Sequence, residues 1–262
     1  MEKRNPFNIV SSKKTRFILP SLLTIIGVCL GISSIKFSLD QNYSLAVTFL
    51  VFAALLDALD GRIARLIKGT TEFGKELDSL TDFVSFGIAP AFILYFWELK
   101  NYGKIGWAIT LIFSVCCVLR LARFNLIKIS EEAEWKLNYF EGVPSPAGGG
   151  LILLPLIYEL SGLNLNIDIK SFTPYLVVIV ALLLISKIPT FSLKKIKIPS
   201  GLTIFLLFGI AILFVSIIFF TFEALLVIGI IYLLTIPISF ILYKKTNKVL
   251  NANKEEDHED VL

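Results

Sequence analysis

Leu56 to Phe83 reads LDALDGRIARLIKGTTEFGKELDSLTDF, and four aspartates stand in it beside apolar runs: Asp57, Asp60, Asp78 and Asp82. On a helix of 3.6 residues per turn, Asp57, Asp60, Gly61, Ala64 and Arg65 fall at i, i+3, i+4, i+7 and i+8, which is one face. Gly74, Asp78 and Asp82 repeat the device at i, i+4 and i+8. The stretch KGTTEFG between them supplies a turn, so the two helices can run antiparallel and pool both aspartate pairs in one site. Glu72 and Glu76 lie off these faces and read as solvated loop charges.

The surroundings of this segment belong in a bilayer. Hydrophobic residues make up 55% of the 262, and mean hydropathy is +0.77, too apolar for a domain whose surface faces water. Apolar runs of spanning length, roughly 20 helical residues, recur near 17–35, 43–60, 80–97, 105–123, 145–160, 172–188, 200–220 and 223–243. The expected fold class is therefore all-α: a polytopic membrane helix bundle of about eight transmembrane helices. Placing both termini on one side puts 21 of the 25 lysines and arginines there, leaving Lys36, Lys100, Lys104 and Lys170 opposite. By the positive-inside rule that side is cytoplasmic. The first apolar stretch follows five basic residues, lacks a small-residue cleavage site and runs to spanning length, so it reads as a membrane helix and not a cleaved signal.

Residue types narrow the chemistry. The one histidine, His258, sits in the tail EEDHED, which removes imidazole-based triads and metal sites. Cys29, Cys116 and Cys117 lie in apolar runs without ligand or disulfide spacing and read as packing residues. Four carboxylates close together in a low-dielectric setting repel, so cations must accompany them. An all-oxygen ligand set selects hard ions such as Mg²⁺, Mn²⁺ or Ca²⁺, and two divalent ions balance four carboxylates. Paired metals stabilise attacking and leaving oxygens in phosphoryl-type substitution. Gly61, Ala64 and Gly74 clear side-chain bulk from the same faces, and Arg65 can grip phosphate oxygens. The plainer reading pairs the aspartates with Arg62, Arg65 or Lys75 as a solvated edge. It accounts for one aspartate but not for four on two matched faces. A divalent-cation pathway is a further rival, although Gly and Arg at fixed spacing have no use in conduction.

Written as D-x2-D-G-x2-A-R-x8-G-x3-D-x3-D, the segment resembles the signature of the CDP-alcohol phosphatidyltransferases, with all eight specified positions filled. The resemblance implies that Asp57, Asp60, Asp78 and Asp82 are metal ligands, for two ions of Mg²⁺ or Mn²⁺. It implies that Asp82 is also the catalytic base for the acceptor hydroxyl, and that Gly61, Ala64, Arg65, Thr71 and Gly74 lie against the CDP part of the donor. The stretch LPSLLT, Leu19 to Thr24, is similar to a family motif near the donor, with Ser21 where an asparagine often stands.

Two further stretches resemble the serine-using, membrane-bound branch of that family: RLARFN, Arg120 to Asn125, and GVPSPAGG, Gly142 to Gly149. Arg120 and Arg123, at i and i+3, can receive a carboxylate and Asn125 an ammonium. Equally, the two arginines can anchor a helix at lipid headgroups, and the Pro/Gly stretch can serve close helix packing. The implied reaction moves the phosphatidyl group of CDP-diacylglycerol onto L-serine by direct displacement with inversion at phosphorus, giving phosphatidylserine and CMP. Sister acceptors are glycerol 3-phosphate, an inositol compound or choline. Implied partners are these substrates, membrane lipids and a second copy in a homodimer, with no nucleic acid. The expected location is multi-pass in a bacterial inner membrane, with the site at its cytoplasmic face. The expected organisation is a basic cytoplasmic N-terminus (1–16), one transmembrane catalytic domain (17–243, with core 17–188 and accessory helices 200–243), and a polar cytoplasmic tail without fixed structure (244–262).

Overall fold

The computed structural model describes residues 13–66, 71–126, 139–163, 168–191 and 203–259. Lysines 3, 68, 128, 136, 194, 195 and 197, together with Arg4, enter the charge-sidedness count but lie outside these ranges.

A bilayer offers the backbone no hydrogen-bond partner, so apolar runs satisfy their own amides as helices. In chain order these are α1 (Lys13–Leu39), α2 (Tyr43–Leu66), α3 (Glu72–Asp82), α4 (Ala89–Trp97), α5 (Gly103–Leu126), α6 (Ser145–Ile152), α7 (Leu154–Leu160), α8 (Ile169–Ile185), α9 (Thr203–Phe219) and α10 (Thr221–Glu259). The result is an all-α membrane bundle. Among the described residues five helical segments are long and apolar enough to cross a membrane: Pro20–Leu39, Tyr43–Leu66, Glu72–Trp97, Leu99–Leu126 and Thr221–Lys244.

Three features depart from the sequence reading. The run at 145–160 is two short helices of 8 and 7 residues meeting at Leu153, because Pro155 in the first turn of α7 cannot continue the ladder of α6. A small antiparallel ribbon pairs β1 (Tyr139–Glu141) with β2 (Pro189–Phe191), tying the approach to α6 to the exit from α8. The polar end, expected to lack fixed structure, continues α10 as helix to Glu259. After Pro237 that stretch has no proline or glycine and is rich in Lys, Glu, Asn and Leu. An anchored span can therefore propagate through it without a new nucleation step.

Close backbone approach positions the elements around the aspartates. Helix α1 packs along α2 and also meets α3 and α4. Between α3 and α4 the chain widens into a π-helical turn, Phe83–Ile88, in which the Ala89 N–H donates to the Val84 carbonyl five residues back. Pro90 explains the widening: it has no N–H to donate, and its ring would crowd the Phe86 carbonyl in an α-helix. Two small residues receive this turn, Gly31 of α1 against Ser85 and Gly149 of α6 against Phe86. The core beneath is filled by Ile93, Leu94, Phe113, Ile152, Leu153 and Leu156, each at most 1% exposed.

A methyl group at position 149 would sit 2.9 Å from the Phe86 carbonyl oxygen, whereas one at position 150 would meet nothing within 4 Å. Gly149→Ala is expected to cost about 1–3 kcal/mol of stability, and Gly150→Ala close to nothing. Thermal melting of the two variants in detergent checks this, and equal melting temperatures would contradict the packing assigned to α6.

Candidate active site where α1, α2 and α3 meet

The last turns of α2 carry Asp57 and Asp60 toward α1 and α3, on the face that the 3.6-residue period marks out. Asp60 is 3% exposed, and the buried Thr24 of α1 donates a hydrogen bond of 2.7 Å from Oγ1 to its Oδ2. The LPSLLT stretch thus fixes one carboxylate directly. Across the site, Thr71 caps α3: its Oγ1 accepts from the Gly74 N–H at 2.9 Å. Helix α3 therefore begins at Glu72, earlier than the span expected from position 80, and Glu72 and Glu76 are exposed on helix, not loop. Glu72 pairs with Lys75 at 2.9 Å.

One carboxylate oxygen from each of Asp57, Asp60 and Asp78 lies within 4.8 Å of the others. Asp82, one turn further along α3, directly faces Asp57, and its Oδ1 is buried with no hydrogen-bond partner among the described residues. None of the four aspartates forms an ion pair with Arg62, Arg65 or Lys75 among the described residues. The solvated-edge reading fails on this point. A carboxylate-only donor set with an orphaned buried oxygen suits hard divalent cations.

Beside the carboxylates opens a cavity of about 200 Å³, lined by Pro20, Ser21, Thr24, Asp60, Gly61, Ala64, Arg65, Thr71, Gly74, Lys75 and Asp78. All five residues expected against the donor are in that lining. Asp57 and Asp82 are not. At Gly61 an added methyl would project into open space, with nothing within 4 Å, while at Gly74 it would come within 3.1 Å of Thr71 Oγ1.

The three residues expected at the acceptor diverge. Arg120 is turned inward, with its Nη1 2.7 Å from Ser145 Oγ and its charge acting on Asp82. Arg123 instead closes the end of α8, donating to the carbonyls of Ile185 at 2.9 Å and Ser186 at 3.3 Å. Asn125 donates to Ser79 Oγ at 2.9 Å, tying α5 to α3 between Asp78 and Asp82. Within GVPSPAGG, Gly148 and Gly149 give close approach to Leu184 and Phe86, so packing accounts for them, while Ser145 serves Arg120. Tyr232 of α10 was not anticipated at all. Its hydroxyl is buried near Arg120 and Thr190, and an isolated tyrosine in a lipid-facing run carries no signal that would single it out.

With this geometry in place, the comparison with known proteins gives the class. The chain belongs to the CDP-alcohol phosphatidyltransferase family, whose pattern matches residues 17–193. Among its relatives is the CDP-diacylglycerol–serine O-phosphatidyltransferase of Mycobacterium bovis, 34% identical over 225 residues, covering 84% of this chain and 77% of that protein. The enzyme of the same name from Helicobacter pylori is 33% identical over 199 residues, covering 76% of this chain and 82% of that protein. The one from Bacillus subtilis is 36% identical over 142 residues, covering 54% and 77%.

Thr24→Val removes the donor to a buried carboxylate and is expected to destabilise the protein by about 1–3 kcal/mol. A melting temperature equal to that of the wild type would show that the Thr24–Asp60 bond does not hold α1 to α2.

Proposed function

We propose that this chain transfers the phosphatidyl group of CDP-diacylglycerol to the hydroxyl of L-serine, forming phosphatidylserine and CMP. The observation that carries this reading is a carboxylate cluster set against a cavity of the right residues, in a chain whose relatives bear the serine O-phosphatidyltransferase name.

Asp57, Asp60 and Asp78, with Asp82 behind them, are the residues that would hold Mg²⁺ or Mn²⁺, two ions by charge balance. Bound there, the metal supplies charge neutralisation for the diphosphate and for the departing CMP oxygen. The rest falls to the side chains. Arg65 binds phosphate oxygens as a planar fork. Gly61, Ala64 and Gly74 keep the cavity wall low so that the CDP part lies against backbone, with Thr71 at its rim. Asp82 Oδ1, which lacks a donor of its own, accepts the proton of the serine hydroxyl. The serine oxygen then bonds to phosphorus as the bond to the CMP oxygen breaks, and CMP leaves with the electron pair. Arg120 holds the acceptor, while Arg123 and Asn125 hold the frame around it.

In this reading the chain crosses a bacterial inner membrane eight times. Both termini and the active site lie at the cytoplasmic face, where the basic residues concentrate. Residues 17–188 form the catalytic core and 200–243 an accessory pair of helices. Small residues on apolar faces permit pairing with a second copy.

The direct experiment supplies purified protein with CDP-diacylglycerol and Mn²⁺ and compares labelled L-serine, glycerol 3-phosphate, inositol and choline. Serine alone should enter the lipid, with CMP released in equal amount. Preferred incorporation of another acceptor would move the protein to a sister activity. Asp82→Asn is expected to lower turnover by about 10²–10⁴-fold while still binding the donor, and near-normal turnover would remove Asp82 from the role of base.

Gly61→Ala gives a separate test of the donor site. Since the added methyl meets no protein atom within 4 Å and alanine favours helix over glycine, stability should not fall while the KM for CDP-diacylglycerol rises. An unchanged KM would place the donor elsewhere.

A further inference from the structure

Arg120 and Tyr232 form a polar pair that the reaction described above only half uses. Arg120 is largely enclosed by the bundle, and among the described residues it makes no ion pair. Its side-chain hydrogen bond goes to the neutral hydroxyl of Ser145, itself 0% exposed. A guanidinium stays charged at any accessible pH, and a charge enclosed this way calls for an anion. Asp82 lies within its electrostatic reach but is not in contact, and that carboxylate faces Asp57.

Tyr232 of α10 also stands within electrostatic reach of the guanidinium. Its hydroxyl is buried with no hydrogen bond among the described residues. Thr190 is a neighbour whose hydroxyl donates to the Gly142 carbonyl at 2.8 Å, so toward Tyr232 it can act only as an acceptor, and the two do not meet at hydrogen-bond geometry. Burying an unpaired hydroxyl is unfavourable, so a partner that arrives with the substrate would recover that cost. Tyr232 also lies outside residues 17–193, the part matched by the family pattern.

We propose that Tyr232 and Arg120 together receive the carboxylate of the acceptor, which makes α10 part of acceptor recognition. This rests on the serine reading given under the proposed function. A guanidinium and a phenol hydroxyl are both donors, and a carboxylate offers two oxygens to accept from them. Asp82, also within reach of Arg120, is then left to the hydroxyl end of the same small molecule. An acceptor with a neutral group in place of the carboxylate would gain less from both donors.

Tyr232→Phe removes one oxygen and keeps the ring. In the full-length protein, assayed with CDP-diacylglycerol and saturating Mn²⁺, this variant should raise the KM for L-serine by about 10- to 100-fold. The kcat at saturating serine and the KM for CDP-diacylglycerol should stay within about threefold of the wild type. The KM for the neutral analogue L-serinamide, whose carbonyl is the weaker acceptor, should rise by a smaller factor, so the preference for serine over serinamide narrows in the variant. An unchanged serine KM would overturn the proposal, as would serine and serinamide KM values that rise by the same factor. A lower melting temperature with an unchanged serine KM would instead assign the hydroxyl to Thr190 and the fold. A wild-type protein that incorporates no serine, but does use another acceptor, would overturn the serine reading itself and this assignment with it.

Discussion

Placing four carboxylates inside a membrane bundle is the electrostatic problem around which this fold is arranged. Each carboxylate loses hydration there, and each repels the others. Basic side chains could relieve the repulsion, yet among the described residues none pairs with Asp57, Asp60, Asp78 or Asp82. The compensation that is present consists of fixed donors and helix ends. Thr24 bonds to Asp60, and Thr71 starts α3 so that Asp78 and Asp82 face α2. What these devices leave over is a focused negative potential beside a cavity. A divalent cation and a diphosphate together answer that potential better than either would alone.

Helix packing carries this electrostatic arrangement through the rest of the molecule. The π-helical turn follows Asp82 directly, and glycines on α1 and α6 let both helices come up to it. Asp82 therefore sits where three elements converge, while Asp60 and Asp78 border the cavity. This separates a cavity side, open and lined by small residues, from an inner side where Asp82, Arg120 and Ser145 lie. Members of a family that share a donor and differ in acceptor need such a division. The first side can stay constant while the second varies.

Much of the cavity side was legible in the sequence because helical periodicity is a short-range property. Positions 57, 60, 61, 64 and 65 must share a face on any α-helix, and so must 74, 78 and 82. Features set by tertiary contact were less legible. Arg123 and Arg120 are equivalent in the pattern RLARFN, yet one closes α8 and the other turns toward Asp82, a distinction that depends on where α8 ends. Pro155 marked the break between α6 and α7, but the apolar run around it reads as one span by hydropathy. The π turn before Pro90 was missed in the same way, since 80–97 reads as one span by hydropathy. The helical end of α10 was missed because a charged composition resembles that of a disordered tail, while the anchored span in front of it removes the cost of nucleation.

The most direct test of the metal-filled pocket is anomalous scattering from the protein loaded with Mn²⁺. The account predicts density at about 2.0–2.2 Å from carboxylate oxygens of Asp57, Asp60 and Asp78. Density at some other place on the chain, with those three carboxylates bare, would contradict it.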